Sequence, residues 1–137
     1  LRLLETDTQI VVPVNKVVKL QITSNDVLHA WTIPAFGVKM DAVPGTPTSM
    51  WFTPTYTTKE MKAKTGDPDF VYELSCDQLC GKGHWSMRGV IVVETQEEFD
   101  AWLASKKPQY LVANPDKDPA TKKDSVGVAP LTGAIIR

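Results

Sequence analysis

The 137-residue sequence predicts an all-β fold, a sandwich or barrel. Three observations predict it. Short stretches of period-2 alternation recur along most of the chain, Gly- and Pro-containing turns separate them, and one helix is well signalled, near the C-terminal side.

The clearest strand is Val17–Thr23, where Val18, Leu20 and Ile22 alternate with Lys19, Gln21 and Thr23. One set faces a core and the other faces water, because successive side chains of a strand point to opposite sides. Further candidates are Gln9–Val12, Leu28–Thr32, Met50–Thr53, Phe70–Leu74 and Gly89–Glu94. Val12-Pro13, Ser24-Asn25-Asp26, Pro44-Gly45-Thr46-Pro47 and Gly66-Asp67-Pro68 punctuate them as turns. Trp31, Phe36, Trp51 and Phe52 are the expected aromatic core.

The helix is predicted to start at Thr95-Gln96-Glu97-Glu98, which has the Thr-x-x-Glu form of a capping box. Phe99, Trp102 and Leu103 follow at i, i+3 and i+4, an apolar stripe to lay against the sheets. Lys106 and Lys107 suit the negative end of the helix dipole, and Pro108 stops it. Beyond it the composition changes. Asn114–Asp124 is dominated by polar and charged residues and reads as a linker or tail; Val126–Ile136 regains apolar character. The expected organisation is one β domain over residues 1–107 and an extended tail over 108–137.

With 42% hydrophobic and 23% charged residues, the composition is that of an ordinary globular domain. A formal net charge of −1 gives no basis for a nucleic-acid partner, which calls for a basic footprint. Apolar runs such as Val90–Val93 reach only four residues, far short of the roughly 20 a membrane-spanning helix needs. Two cysteines, Cys76 and Cys80, are too few and too close for a disulfide-stapled scaffold.

Chemistry concentrates in Cys76-Asp77-Gln78-Leu79-Cys80-Gly81-Lys82-Gly83-His84-Trp85-Ser86-Met87. Thiolate, imidazole and thioether together form a soft-to-borderline donor set that favours copper. Gly81 and Gly83 let a short loop fold closely around a metal. Flanking strand candidates place the segment between two strands, which can hold the donors at fixed geometry. A mononuclear blue-copper site uses one cysteine; two on one loop can bridge a pair of copper ions and share the electron between them. The chain has one further histidine, His29, at the edge of a strand candidate. Taken singly, the cysteines could form a disulfide or be buried thiols, His29 could be structural, and Met87 could be packing.

Asp26-Val27-Leu28-His29-Ala30-Trp31, Gly37–Gly45 and the ordered Cys-x-x-x-Cys-x-x-x-His-x-x-Met pattern together resemble the signature segments of cytochrome c oxidase subunit II. The resemblance runs from about Leu3 to Leu103. It implies a cupredoxin-like Greek-key β-sandwich with one short C-terminal helix, holding a binuclear copper (CuA) centre. Cys76 and Cys80 would then be bridging thiolates, His29 and His84 terminal imidazoles, Met87 a weak axial ligand and Gln78 a backbone carbonyl ligand. It further implies an electron relay within cytochrome c oxidase, with no substrate chemistry of its own. Electrons would come from cytochrome c and pass to haem in subunit I.

Three features depart from the family pattern. Gln78 replaces a glutamate whose side chain reaches a magnesium site shared with subunit I. Residues 59–69 read as a polar surface insertion. The family's N-terminal membrane hairpin, its expected link to the membrane, falls outside this sequence. The implied location is the outer, periplasmic face of a bacterial cytoplasmic membrane, or the mitochondrial intermembrane side. Asp26, Asp41, Glu73 and Asp77 are a candidate acidic patch for a basic cytochrome c, and Trp85 a candidate shield or docking residue. Competing readings are the CuA domain of a nitrous oxide reductase, a periplasmic copper carrier, and a Cys₂His₂ zinc site, the last with no use for Met87.

Overall fold

The structure, a computed structural model, describes residues 9–118. Its elements are β1 (Gln9–Pro13), β2 (Val18–Ile22), β3 (His29–Ile33), β4 (Val38–Ala42), β5 (Thr48–Phe52), α1 (Thr58–Thr65), β6 (Tyr72–Cys76), β7 (Arg88–Glu94), α2 (Gln96–Ser105) and α3 (Gln109–Ala113). Residues 9–105 form one compact unit, and the described residues from Lys106 onward belong to another.

Five strands make one sheet in the order β1-β7-β6-β3-β4, and β2 pairs with β5 in a second. β1 runs parallel to β7; the other pairs are antiparallel. Strands distant in sequence therefore lie side by side, the ordering of a Greek-key arrangement. The inner faces of both sheets meet in one core of Val12, Ile22, Ile33, Ala42, Met50, Phe52, Tyr72, Ile91 and Val93. Phe36 stacks on Phe52 and tilts against Tyr72, each at 4.8 Å between ring centroids.

The six strand candidates all form, shifted by a residue or two at their ends. β4 was not anticipated, although Val38, Met40 and Ala42 alternate with Lys39 and Asp41. Of the expected aromatic core, Phe52 is buried, and Trp31 and Phe36 pack against it. Trp51 is 67% exposed, a correction to the expectation. It lies between Met50 and Phe52, both of which point inward, so the pleat turns it to solvent.

The α2 cap forms as expected: the Thr95 amide donates to Glu98 at 3.0 Å and the Glu98 amide to the Thr95 hydroxyl at 3.2 Å. A second box opens α1 just ahead of residues 59–69, the segment read as a surface insertion, and the helix runs on into it. The Thr57 amide donates to Glu60 at 2.7 Å and the Glu60 amide to Thr57 Oγ1 at 3.1 Å. That helix is tied to the sandwich, since the Val93 amide donates to Thr58 Oγ1 at 2.9 Å. In the second unit, Pro108 also leads into a helix, α3, because proline suits the first positions of one. The remainder of the expected tail, including Val126–Ile136, lies outside the described residues.

The Thr57 amide and hydroxyl hold the Glu60 carboxyl below its ordinary pKa. A carboxyl lowered in the fold contributes stability above the unfolded value, about 4.3, and loses it as pH falls through the folded one. Amide exchange in α1, taken relative to the intrinsic rate at each pH, is therefore expected to accelerate below about pH 4.3, and a Glu60→Gln variant to show little of that pH dependence. Equal acceleration in the variant would place the cause elsewhere.

Candidate metal centre

β6 and β7 are antiparallel neighbours, and the cysteine loop connects them. Its mouth is closed by the Cys76 amide donating to the Met87 carbonyl at 3.1 Å, and by the Asp77 amide donating to Ala30 at 3.1 Å. Three further bonds tighten the far half: His84 to Gly81, Ser86 to Gly83 and Met87 to His84, the amide donating in each. They wind His84–Ser86 into a 3₁₀ turn. Gly81 has φ +131°, a conformation side chains rarely allow, whereas Gly83 is in the ordinary right-handed helical region. Of the two glycines, only Gly81 is demanded by the backbone.

β3 brings the second histidine. Trp31 pairs with Cys76 across the β3–β6 register, and His29 lies two residues before Trp31, on the same face. A diagonal neighbour on one face is within reach of a long side chain. His29 Nδ1 accordingly lies 3.8 Å from Cys76 Sγ.

The remaining donors gather on the sulfurs. Cys76 Sγ and Cys80 Sγ are 3.8 Å apart and both thiols are free, well beyond the roughly 2.05 Å of a disulfide. His84 Nδ1 lies 3.6 Å from Cys80 Sγ, and Met87 Sδ lies 3.3 Å from it. The Gln78 carbonyl oxygen lies 3.3 Å from Cys76 Sγ. The donor atoms of His29, Cys76 and Cys80 are all within 4.8 Å of one another. All six residues singled out from the sequence are thus brought together. The set of two thiols, two imidazole nitrogens, a thioether and a carbonyl fits a soft or borderline metal, copper foremost.

Burial opposes ionisation of Cys76, yet hydrogen bonds at the Ala30 and Gln78 backbone and to His29 and His84 bring its pKa down to about 6. Burial and the neighbouring Cys76 push the Cys80 thiol up. Near neutrality one proton is therefore shared between two sulfurs, with Cys76 the thiolate. Asp26 raises the His29 pKa through a 2.7 Å bond to Nε2, and the same bond lowers Asp26 to about 2.

Of the four carboxylates offered from the sequence as a candidate acidic patch or an ordinary solvated surface, Asp77 pairs with Lys39 at 2.7 Å, Glu73 with Arg88 at 3.3 Å, and Asp26 with His29. The Lys39–Asp77 pair ties the loop to β4, a link no local pattern could reveal. Trp85 and Leu79 are each 79% exposed on the loop, so Trp85 caps nothing and presents its ring to solvent.

A family model described as cytochrome C oxidase subunit II, periplasmic domain, matches residues 1–96. Cytochrome c oxidase subunit 2 of Cereibacter sphaeroides is 43% identical over 101 residues, covering 74% of this chain and 29% of that protein. The chain thus spans about a third or less of that relative's length. The crystal structure of the periplasmic domain of subunit II of cytochrome oxidase (CoxB) of Bradyrhizobium japonicum superposes with a TM-score of 0.61 at 39% identity, covering 74% of this chain and 65% of that one. A crystal structure of the mixed disulfide intermediate between a thioredoxin-like TlpA and subunit II of cytochrome c oxidase matches with a TM-score of 0.56 at 39% identity, covering 76% of this chain and 65% of that one.

Proposed function

The chain belongs to the cytochrome c oxidase subunit II family, as its periplasmic domain, and on that footing we propose that it relays single electrons through a binuclear copper centre. What carries the reading is the convergence of four further donors on two free sulfurs 3.8 Å apart. In it the Cys76 and Cys80 thiolates, the Nδ1 atoms of His29 and His84, the Met87 thioether and the Gln78 carbonyl would hold the copper. Bound there, a copper pair supplies reversible one-electron storage.

The chain's own residues do the rest. The β3–β6 register holds His29 and Cys76 in place, while the Cys76–Met87 and Asp77–Ala30 bonds restrain the loop. Donors held this firmly change position little between oxidation states, which keeps reorganisation small. The domain passes electrons on and does no substrate chemistry.

The donor in this reading is a cytochrome c and the acceptor is haem in the oxidase's subunit I, with the domain on the periplasmic side, held through a membrane anchor of the whole subunit. Among the described residues no helix is long and apolar enough to cross a membrane. Relatives that are oxidase subunits favour this reading over a nitrous oxide reductase domain or a copper carrier. Because both sulfurs must be reduced before metal enters, a thioredoxin-like reductant fits as an assembly partner, as in the mixed disulfide of the relative.

The test is copper loading followed by electron paramagnetic resonance and copper analysis. An electron shared equally by two coppers splits into about seven hyperfine lines, against about four for a single copper. Seven lines with about two coppers per chain is the expected result. A four-line spectrum with about one copper would replace the relay by a mononuclear site.

A further inference from the structure

His29 is held from both sides. Nδ1 is the nitrogen that faces Cys76, while Nε2 lies 2.7 Å from Asp26 Oδ1. A neutral imidazole carries one proton. With that proton on Nε2, where the carboxylate accepts it, the lone pair stands on Nδ1 and faces the sulfurs.

The carboxylate is itself braced. The Asp26 amide donates to Ser24 Oγ at 3.3 Å, and the Ser24 hydroxyl donates to the Val27 carbonyl and lies 3.1 Å from Asp26 Oδ1. Ser24 is 8% exposed and its backbone bridges to Pro44, so the turn is rooted in the body of the domain. The other imidazole is treated differently. His84 makes no ion pair with a carboxylate among the described residues.

We propose that Asp26 is a positioning residue: through the Ser24 turn it locks His29 in the Nε2–H tautomer and presents Nδ1 to the Cys76–Cys80 sulfur pair. The two imidazoles are then unequal, His29 being the one oriented by a carboxylate. The purpose of this arrangement rests on the copper reading above. Its geometry is a property of the metal-free protein and is testable there. Carboxylates that orient a metal-bound histidine typically contribute 10- to 100-fold in metal affinity, roughly.

Nitrogen-15 spectra of the metal-free protein, recorded across a pH series, report each tautomer directly. Wild type is expected to show His29 protonated at Nε2, with that proton slow to exchange. Asp26→Ala is expected to give a tautomer mixture with fast exchange, leaving the His84 signals unchanged. Asp26→Asn, which keeps an acceptor oxygen but no charge, is expected to fall between. An unaltered backbone amide spectrum in each variant checks the fold.

Copper affinity is then measured by competition with a chelator. A drop of roughly 10- to 100-fold in Asp26→Ala supports the proposal. The wild-type tautomer and affinity persisting in Asp26→Ala would overturn it and return Asp26 to an ordinary surface charge. If wild type takes up no copper, the metal-centre reading falls, and the tautomer result alone decides the positioning role.

Discussion

A Cys76→Ser variant is expected to lose the paired copper centre while keeping its fold. Cys76 Sγ is the atom on which His29, Gln78 and Cys80 meet, so removing it takes one bridge and unseats two neighbours. A serine hydroxyl stays protonated at neutral pH and offers a hard oxygen, which does not replace a soft bridging thiolate. The backbone has no stake in the change. The Cys76 amide still bonds the Met87 carbonyl, and Trp31 still pairs across the register. Stability of the metal-free protein should therefore shift by no more than about 1 kcal/mol. Copper per chain should fall from about two to one or none, and the roughly seven-line spectrum should disappear. A shared-valence spectrum surviving in Cys76→Ser would sink the bridging assignment.

Ile91→Ala is expected to destabilise the domain by about 2–5 kcal/mol, the usual cost of truncating a fully buried aliphatic side chain. Ile91 is 1% exposed on β7, paired with Ile10 on one side and Tyr72 on the other. Removing three carbons there leaves a cavity between strands that the rigid sheet cannot close. The control is Trp51→Ala. Trp51 is the larger side chain but is 67% exposed, so its loss should cost only about 0.5 kcal/mol. Urea unfolding of the metal-free proteins separates the two. Equal losses would mean that the inward and outward faces of β5 are assigned wrongly. Because β7 begins at Arg88, directly after Met87, the Ile91 variant should also bind copper more weakly, and added copper should recover part of its stability by mass action.

The candidate metal loop was legible in the sequence because its donors are local. Cys76, Cys80, His84 and Met87 lie on one short stretch between two strands, and their chemical types alone select a soft metal. His29 was legible for a different reason, as the one other histidine in the chain. Most strands showed themselves by alternation. β4 alternates too, through Val38, Met40 and Ala42, and was passed over. α1 carried a readable start in Thr57-x-x-Glu60, but no apolar stripe follows it, since none of its residues is buried. A helix held by its cap, by the Thr58 hydroxyl accepting from the Val93 amide and by the single apolar contact of Met61 leaves no periodic trace.

By itself the sequence determined which donor atoms the protein owns, their spacing, and the alternation that makes a β-sandwich. The tertiary structure alone decided which way Trp51 turns and which carboxylates meet a base. Asp77 reaches Lys39 on β4, and Asp26 reaches the back of the His29 ring. Glycine roles also came apart only in three dimensions, Gly81 needing its positive φ and Gly83 not. Asp26 and His29, three residues apart, meet through the fold of one turn; for the Lys39–Asp77 pair the physical reason is of longer range. Alternation along a strand is a local property, but what faces a side chain is set by the register between strands far apart in the chain, and no window along the sequence contains both partners.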